Sequence, residues 1–211
     1  MAGGASSRFG EDKALVEIGG RRMLDRTIDL MRCVTPKLKI VAPRGKYTEF
    51  GIETVADRWP GEGPLGGIIT ALLDAAADSV QATPNQQSRV TSHEESAWYL
   101  MVSCDMPFLT EEWLRFLTQR AKSSTAEVVL PRSAGGFEPL CACWRPRAAE
   151  ALRQAFERGV RKMMDGVREV KAEVLDEKDW KRFDSAGRIF WNMNTPSDYE
   201  EARRILEAER R

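Results

Sequence analysis

Apolar and polar positions along the chain switch repeatedly between two periods. Leu24, Ile28 and Met31 recur at helical spacing, and so do Tyr199, Ala202 and Leu206. Ser197 and Asp198, just after Pro196, give the last helix its start. Between such stretches lie short apolar runs. Residues 38–42 end at Pro43 and read as a strand, as do residues 126–130 and 140–144. Residues 98–103 are almost continuously apolar, which predicts a buried central strand. Strand-like and helix-like segments in alternation predict a layered α/β fold, with no internal repeat.

Residues 79–97 break the pattern, being polar and without apolar periodicity. They read as a flexible surface insertion in a single domain spanning residues 1–211. The insertion feeds into the start of the strand at Trp98. Open α/β sheets bind ligands at the opposite, carboxyl end of their strands. The insertion is therefore expected to lie away from the chemistry.

Composition narrows the picture. A chain of 211 residues with 42% apolar content suits one α/β domain with a real core. Lys+Arg and Asp+Glu both number 32, so net charge gives no pull toward nucleic acid or an acidic membrane. No apolar run approaches the roughly 18 residues of a bilayer span, and the opening MAGGASSRFG has no signal-peptide core. Cys33, Cys104, Cys141 and Cys143 show no disulfide-framework spacing and read as reduced thiols of a cytoplasmic protein. Cys141 and Cys143 share one strand face, but no second Cys/His pair completes a zinc set. His93, the only histidine, sits in a polar stretch and reads as a solvated loop residue.

The strongest local signal is Ala2-Gly3-Gly4-Ala5-Ser6-Ser7-Arg8-Phe9-Gly10-Glu11-Asp12-Lys13. Glycines let a backbone approach phosphate oxygens and offer them N–H groups. Arg8 and Lys13 add positive charge where a triphosphate would lie. The order of a Walker A loop is absent. Asp105 follows an apolar strand and precedes Pro107, so it belongs at the strand's carboxyl end. There it reads either as a Mg²⁺ ligand or as a turn-initiating Asp. Gly63-Pro64-Leu65-Gly66-Gly67 reads as a backbone wall against base or ribose, with Asp57 as a polar contact, or as a tight turn before a helix. Asn192 and Asn194 would share a face if on a strand, suiting a second metal contact or an acceptor phosphate. The same stretch also suits a strand end and helix cap.

Taken together, these segments resemble the sugar-phosphate-type nucleotidyltransferases, whose opening pattern is LAGG-x-S-x-R-M-G-x-D-K. Met1 stands at the leucine position and Phe9 replaces the methionine. Residues 57–67 resemble the family's second nucleotide loop, and Ser103-Cys104-Asp105-Met106-Pro107-Phe108-Leu109 its metal-binding strand end. Glu138-Pro139-Leu140-Cys141-Ala142 and Asn192-Met193-Asn194-Thr195-Pro196-Ser197-Asp198 resemble its acceptor-side segments. The AGG and GPLGG elements are most similar to the molybdenum cofactor guanylyltransferases. One departure follows Ile40, where Ala42-Pro43-Arg44 stands in place of a polar contact such as Asn.

The resemblance implies a single-domain, Rossmann-like α/β fold with a mostly parallel central sheet flanked by helices. It implies GMP transfer from GTP to the terminal phosphate of molybdopterin, with Mg²⁺ as cofactor. Lys13, Arg8 and Asp105 would be catalytic, with Asp105 holding the metal. Met1, Ala2, Gly3, Gly4, Lys13, Asp57, Gly63, Pro64, Leu65 and Asp105 would bind the nucleotide. Glu138, Asn192 and Asn194 would face the acceptor, although Glu138 also reads as an exposed strand residue. Partners would be GTP, molybdopterin and, transiently, proteins of cofactor synthesis or molybdoenzyme maturation. The chain would be a monomer or weak oligomer. The alternatives are a nucleotidyltransferase using CTP or a sugar-phosphate acceptor, and a nucleotide-binding homologue without turnover.

A Gly-rich turn in such a fold follows a strand, yet here it begins at residue 2. An apolar central strand of about 5–6 residues, ending at Met1, is therefore expected ahead of it. Without that strand, the 211-residue chain is expected to be poorly soluble or inactive.

Overall fold

In this computed structural model the described residues are Met1, residues 12–80 and residues 97–208. A short hairpin, β1 (Glu17–Ile18) and β2 (Arg21–Arg22), leads into α1 (Met23–Val34). There follow β3 (Lys39–Ala42), β4 (Glu53–Ala56) and α2 (Pro64–Val80). The second part comprises β5 (Tyr99–Val102), α3 (Glu111–Lys122), β6 (Val128–Ser133), β7 (Gly136–Phe137) and β8 (Cys141–Trp144). It closes with α4 (Ala148–Glu157), α5 (Met163–Val167), β9 (Ala172–Leu175), α6 (Glu177–Trp180) and α7 (Pro196–Ala208).

Local sequence explains the helix ends. In α1, Met23, Leu24, Ile28 and Met31 form the buried stripe. Thr35 before Pro36 turns extended, the conformation that a following proline favours. In α3 the Thr110 side chain accepts from the Trp113 N–H, and Glu111 and Glu112 occupy the first turn, where the helix dipole favours acids. Pro64 opens α2, where a missing N–H costs nothing. The helix runs through Val80, so Ser79 and Val80, expected at the head of the insertion, belong to α2. The Ala-rich run before them carries the helix one turn further. Residues 81–96, with the rest of that insertion and His93, lie outside the described residues.

Besides the β1–β2 hairpin, the described strands form a two-stranded sheet, β3–β4, and a five-stranded mixed sheet. β3 and β4 pair in parallel, as do β6 and β9, but β8 lies antiparallel between β5 and β6. The short link from β6 through β7 to β8 forces this, because a parallel return needs a crossover of a dozen residues or more. β5 and β6, joined through α3, consequently run the same way. Helices cover both faces. Val129, Cys141 and Cys143 face a layer with Trp113, Leu114 and Leu117. Val128, Leu130, Ala142 and Trp144 face the other, with Ile68, Leu72 and Leu152. The alternation along β6 and β8 is thus the period-2 pattern of strands buried on both sides.

The cysteines fit this core. Cys104, Cys141 and Cys143 are buried and Cys33 is exposed. Burial pushes the Cys104 and Cys141 thiols up to about 12. Cys141 Sγ also accepts from the Trp113 indole at 3.3 Å. Among the described residues no cluster of three or more His, Cys, Asp or Glu could hold a metal. In the native protein a thiol reagent is expected to modify Cys33 alone quickly, the other three reacting only on unfolding. Counting thiols before and after denaturant checks this, and a second fast thiol would contradict the packing.

Candidate functional site

The site collects at the carboxyl ends of β3, β4 and β5. Ser103-Cys104-Asp105 leaves β5 in a turn that aims the Asp105 carboxylate outward. Its Oδ1 accepts from Ser103 Oγ at 2.6 Å, and its Oδ2 lies 3.9 Å from Lys13 Nζ. Both side chains are about one-fifth exposed, 20% and 19%, so each is held by protein while remaining reachable. The Met193 N–H donates to the Asp105 backbone carbonyl at 3.0 Å. Lys13 Nζ donates to Asn194 Oδ1 at 3.1 Å. Lys13, Asp105 and Asn194 thereby converge from segments far apart in sequence.

Asn192 and Asn194 lie on an irregular segment between a 3₁₀ turn (Arg188–Phe190) and α7, not on a strand. Pro196 supplies the reason, since it opens α7 and no strand among the described residues pairs with those before it. Alternation still separates their roles. Asn194 meets Lys13, while Asn192 donates to the Phe190 carbonyl at 3.0 Å and hydrogen-bonds Glu138. The Asp198 carboxylate accepts from the Asn194 and Thr195 N–H groups at 2.8 and 2.7 Å. Against the opposing effect of burial, these bonds hold its pKa below the ordinary value. The expected cap is therefore present, and it fixes the backbone carrying Asn194.

Glu138 is half-buried and accepts from Ser133 Oγ at 2.7 Å. Burial raises its pKa above 4.5, Asp105 adds repulsion, and Ser133 and Asn192 partly offset both. A carboxyl with a raised folded pKa contributes stability that is complete below its unfolded value and lost as pH rises through the folded one. Glu138→Gln keeps the shape without the charge. It is expected to melt roughly 2 °C or more above the parent at pH 8, with the gap closing toward pH 4.5. Melting curves at the two pH values check this, and an equal gap at both would contradict it.

The second loop is braced rather than open. Asp57 Oδ1 accepts from the Trp59 N–H at 3.0 Å and from Thr70 Oγ1 at 3.2 Å, pinning the loop to α2. Gly63 has φ +92°, a conformation that favours glycine, immediately before Pro64. A Cβ on Gly67 would collide with Met1 Cε, so this glycine serves close packing. Leu65 is wholly buried and packs in a core cluster rather than facing the site. Met1 packs its side chain into the same core cluster. The expected contacts Ala2, Gly3, Gly4 and Arg8 lie outside the described residues.

Several residues in the site had no role assigned from sequence. Asp12 accepts from Lys46 Nζ at 2.7 Å and from the Tyr47 hydroxyl at 2.9 Å. These partners overcome the effect of burial and hold the Asp12 pKa below its ordinary value. Tyr47, buried and at φ 62°, is the one non-glycine among the described residues with positive φ. The Asp12 knot thus anchors the backbone that presents Lys13. The signals were present: Asp12 precedes Lys13 and Ser103 precedes Asp105, but nothing local in sequence joins Tyr47 to Asp12. Residues 158–162 form the turn between α4 and α5. There Arg158 pairs with Glu169, and Arg161 pairs with Glu62 while lying 3.8 Å over the Phe156 ring.

Residues 1–173 match the family model of the MobA-like NTP transferase domain. The chain belongs to this family. A molybdenum cofactor guanylyltransferase of Rhodopseudomonas palustris is 31% identical over 97% of this chain and 91% of its own. A probable molybdenum cofactor guanylyltransferase of Carboxydothermus hydrogenoformans is 28% identical over 98% and 94%. Among solved structures, molybdopterin-guanine dinucleotide biosynthesis protein A from Archaeoglobus fulgidus superposes with a TM-score of 0.77, at 22% identity and 98% and 96% coverage. The 2-C-methyl-D-erythritol 4-phosphate cytidylyltransferase of Thermus thermophilus gives 0.61, at 12% identity and 92% and 94% coverage. These two likenesses establish the shared α/β nucleotidyltransferase fold. Membership of the MobA-like family makes the chain an enzyme of the nucleotidyltransferase class. No helix among the described residues is long and apolar enough to cross a membrane.

Proposed function

We propose that the chain transfers GMP from GTP to the terminal phosphate of molybdopterin, releasing pyrophosphate. The convergence of Lys13, Asp105 and Asn194 beside Glu138 and Asn192 carries this reading, together with relatives named for that activity along nearly their whole length.

An acceptor phosphate oxygen attacks the α-phosphorus of GTP. The bond from the α-phosphorus to the bridging oxygen breaks as the new diphosphate linkage forms. Pyrophosphate leaves with that electron pair, and no proton transfer is required because the acceptor oxygen is already anionic. The residues supply positioning and charge neutralisation. Lys13 neutralises the triphosphate and the departing pyrophosphate. Ser103 fixes the Asp105 rotamer through its hydroxyl donor. Asn192 and Glu138, hydrogen-bonded to each other, would meet the acceptor phosphate and pterin.

The site suits Mg²⁺. One carboxylate from Asp105 and the amide oxygen of Asn194 fit an ion that draws its remaining ligands from phosphates and water. Asp105 and Asn194 would hold it there, and it would offset the negative charge of the phosphates. The deciding experiment measures pyrophosphate release with molybdopterin and each of the four ribonucleoside triphosphates. Release with GTP alone is the expected result. Equal release with CTP, or GTP turnover with a sugar phosphate in place of molybdopterin, would overturn the assignment.

A further inference from the structure

The apex of the second loop, residues 60–63, has little of its own to fix it. All of these residues are exposed. Gly61 and Gly63 sit at φ +84° and +92°, and glycine gives up much backbone freedom to hold one shape. The braces on either side stop short of the apex. Asp57 fastens the start of the loop, and α2 takes over at Pro64. Among the described residues, one side-chain hydrogen bond ties the apex to the rest of the molecule: Arg161 Nε donates to Glu62 Oε2 at 2.6 Å.

Arg161 is itself firmly held. Its Nη1 donates to the carbonyls of Phe156 and Val160 at 2.6 and 3.1 Å. Phe156 lies in the last turn of α4, where the helix dipole favours a cation. The guanidinium lies 3.8 Å over the Phe156 ring, which in turn packs on Trp59 at 5.2 Å. Trp59 belongs to the same loop, so Trp59, Phe156, Arg161 and Glu62 form a closed ring of contacts around the apex. Packing within the ring is close. A Cβ on Gly66 would stand 3.1 Å from Trp59 Cβ, and one on Gly63 would lie 3.9 Å from the Arg161 carbonyl oxygen.

The Glu62 and Arg161 side chains are 47% and 44% exposed, and a pair so exposed contributes little to global stability. Its local effect is larger. Ordering a glycine-rich segment costs conformational entropy, and binding bears that cost unless the free protein has already met it. We propose that Arg161 is a positioning residue for the nucleotide. Through Glu62 it holds the Gly61–Gly63 backbone in the shape that meets base or ribose, without touching the nucleotide itself. The inference rests on the reading of residues 57–67 as a nucleotide loop. It makes the turn after α4 a support of the nucleotide site, although Arg161 stands 99 positions from Glu62 in sequence. Arginine suits this role, since lysine has neither the fork nor the flat face that rests on Phe156.

Calorimetry with Mg²⁺ and the triphosphate that supports pyrophosphate release tests this. Arg161→Met and Glu62→Ala are each expected to weaken binding of that nucleotide by about tenfold, and the double variant by no more than the larger single loss. Arg161→Lys should recover only part of the affinity. At saturating nucleotide, kcat and the KM for the acceptor should stay within about twofold of the parent's. Amide exchange at Gly61–Gly63 should quicken by about tenfold, while the melting temperature stays within about 3 °C. Arg158→Met breaks the neighbouring Arg158–Glu169 pair of the same turn and should change neither the affinity nor the exchange. Additive losses in the double variant, parent-like binding or exchange in Arg161→Met, or an equal rise in the acceptor KM would overturn the inference. A parent that uses CTP in place of GTP would overturn the guanylyl assignment alone, because the comparison is then made with CTP. Failure of every triphosphate to bind would overturn both.

Discussion

Asp105→Asn is expected to leave the protein folded and to lower GTP-dependent pyrophosphate release by about 10²-fold or more. The expectation rests on how the carboxylate is held. Oδ1 already accepts from Ser103 and Oδ2 faces Lys13. An asparagine with its oxygen toward Ser103 keeps that bond, so the turn after β5 stays in place. The charge is lost on the side where a metal-bound triphosphate would sit. Lys13 then loses the carboxylate 3.9 Å away, and phosphate oxygens lose the neutralising ion that Asp105 would hold. Circular dichroism and melting curves near the parent's, together with the collapse in turnover, are the expected pair of results. A folded variant with near-normal rates would mean that Asp105 only shapes the turn, the alternative that its position before Pro107 leaves open.

The order of elements was legible because the hydrophobic period changes cleanly. Leu24, Ile28 and Met31 mark α1, and the apolar stretch after Trp98 marks β5. Direction was less legible. β8 is as apolar as a parallel core strand, and only the shortness of its link to β6 makes it antiparallel. Ser79 and Val80 looked like the start of the insertion because a polar run follows, yet the Ala-rich helix before them continues. In the site, Asp105 and Lys13 stood out as charges beside turn-forming residues. For Asn192 and Asn194 the sequence leaves a shared strand face and a helix cap both open, and Asp198 capping with Pro196 places them in a helix approach. Tyr47 could not be found at all from sequence. Its bond to Asp12 spans 35 positions, and its backbone conformation is visible only in three dimensions.

Lys13→Met is expected to lower kcat/KM for GTP by roughly 10²–10³-fold, acting on both binding and the chemical step. Methionine keeps the unbranched stem and removes the terminal nitrogen with its charge and donors. The position of Lys13 makes two roles separable. It donates to Asn194 at 3.1 Å and lies 3.9 Å from Asp105, so it either acts on phosphates itself or merely fixes Asn194. A double-mutant cycle with Asn194→Ala distinguishes these. If Lys13 acts on the phosphates, Lys13→Met alone costs far more than Asn194→Ala, and the double variant costs little beyond Lys13→Met. If it only positions Asn194, the two single variants lose equal activity and the double variant no more than either. Calorimetry adds the second measurement, since charge on a triphosphate must also appear in the GTP affinity. Parent-like affinity and parent-like turnover in Lys13→Met would reduce Lys13 to a surface lysine held by the Asp12 knot.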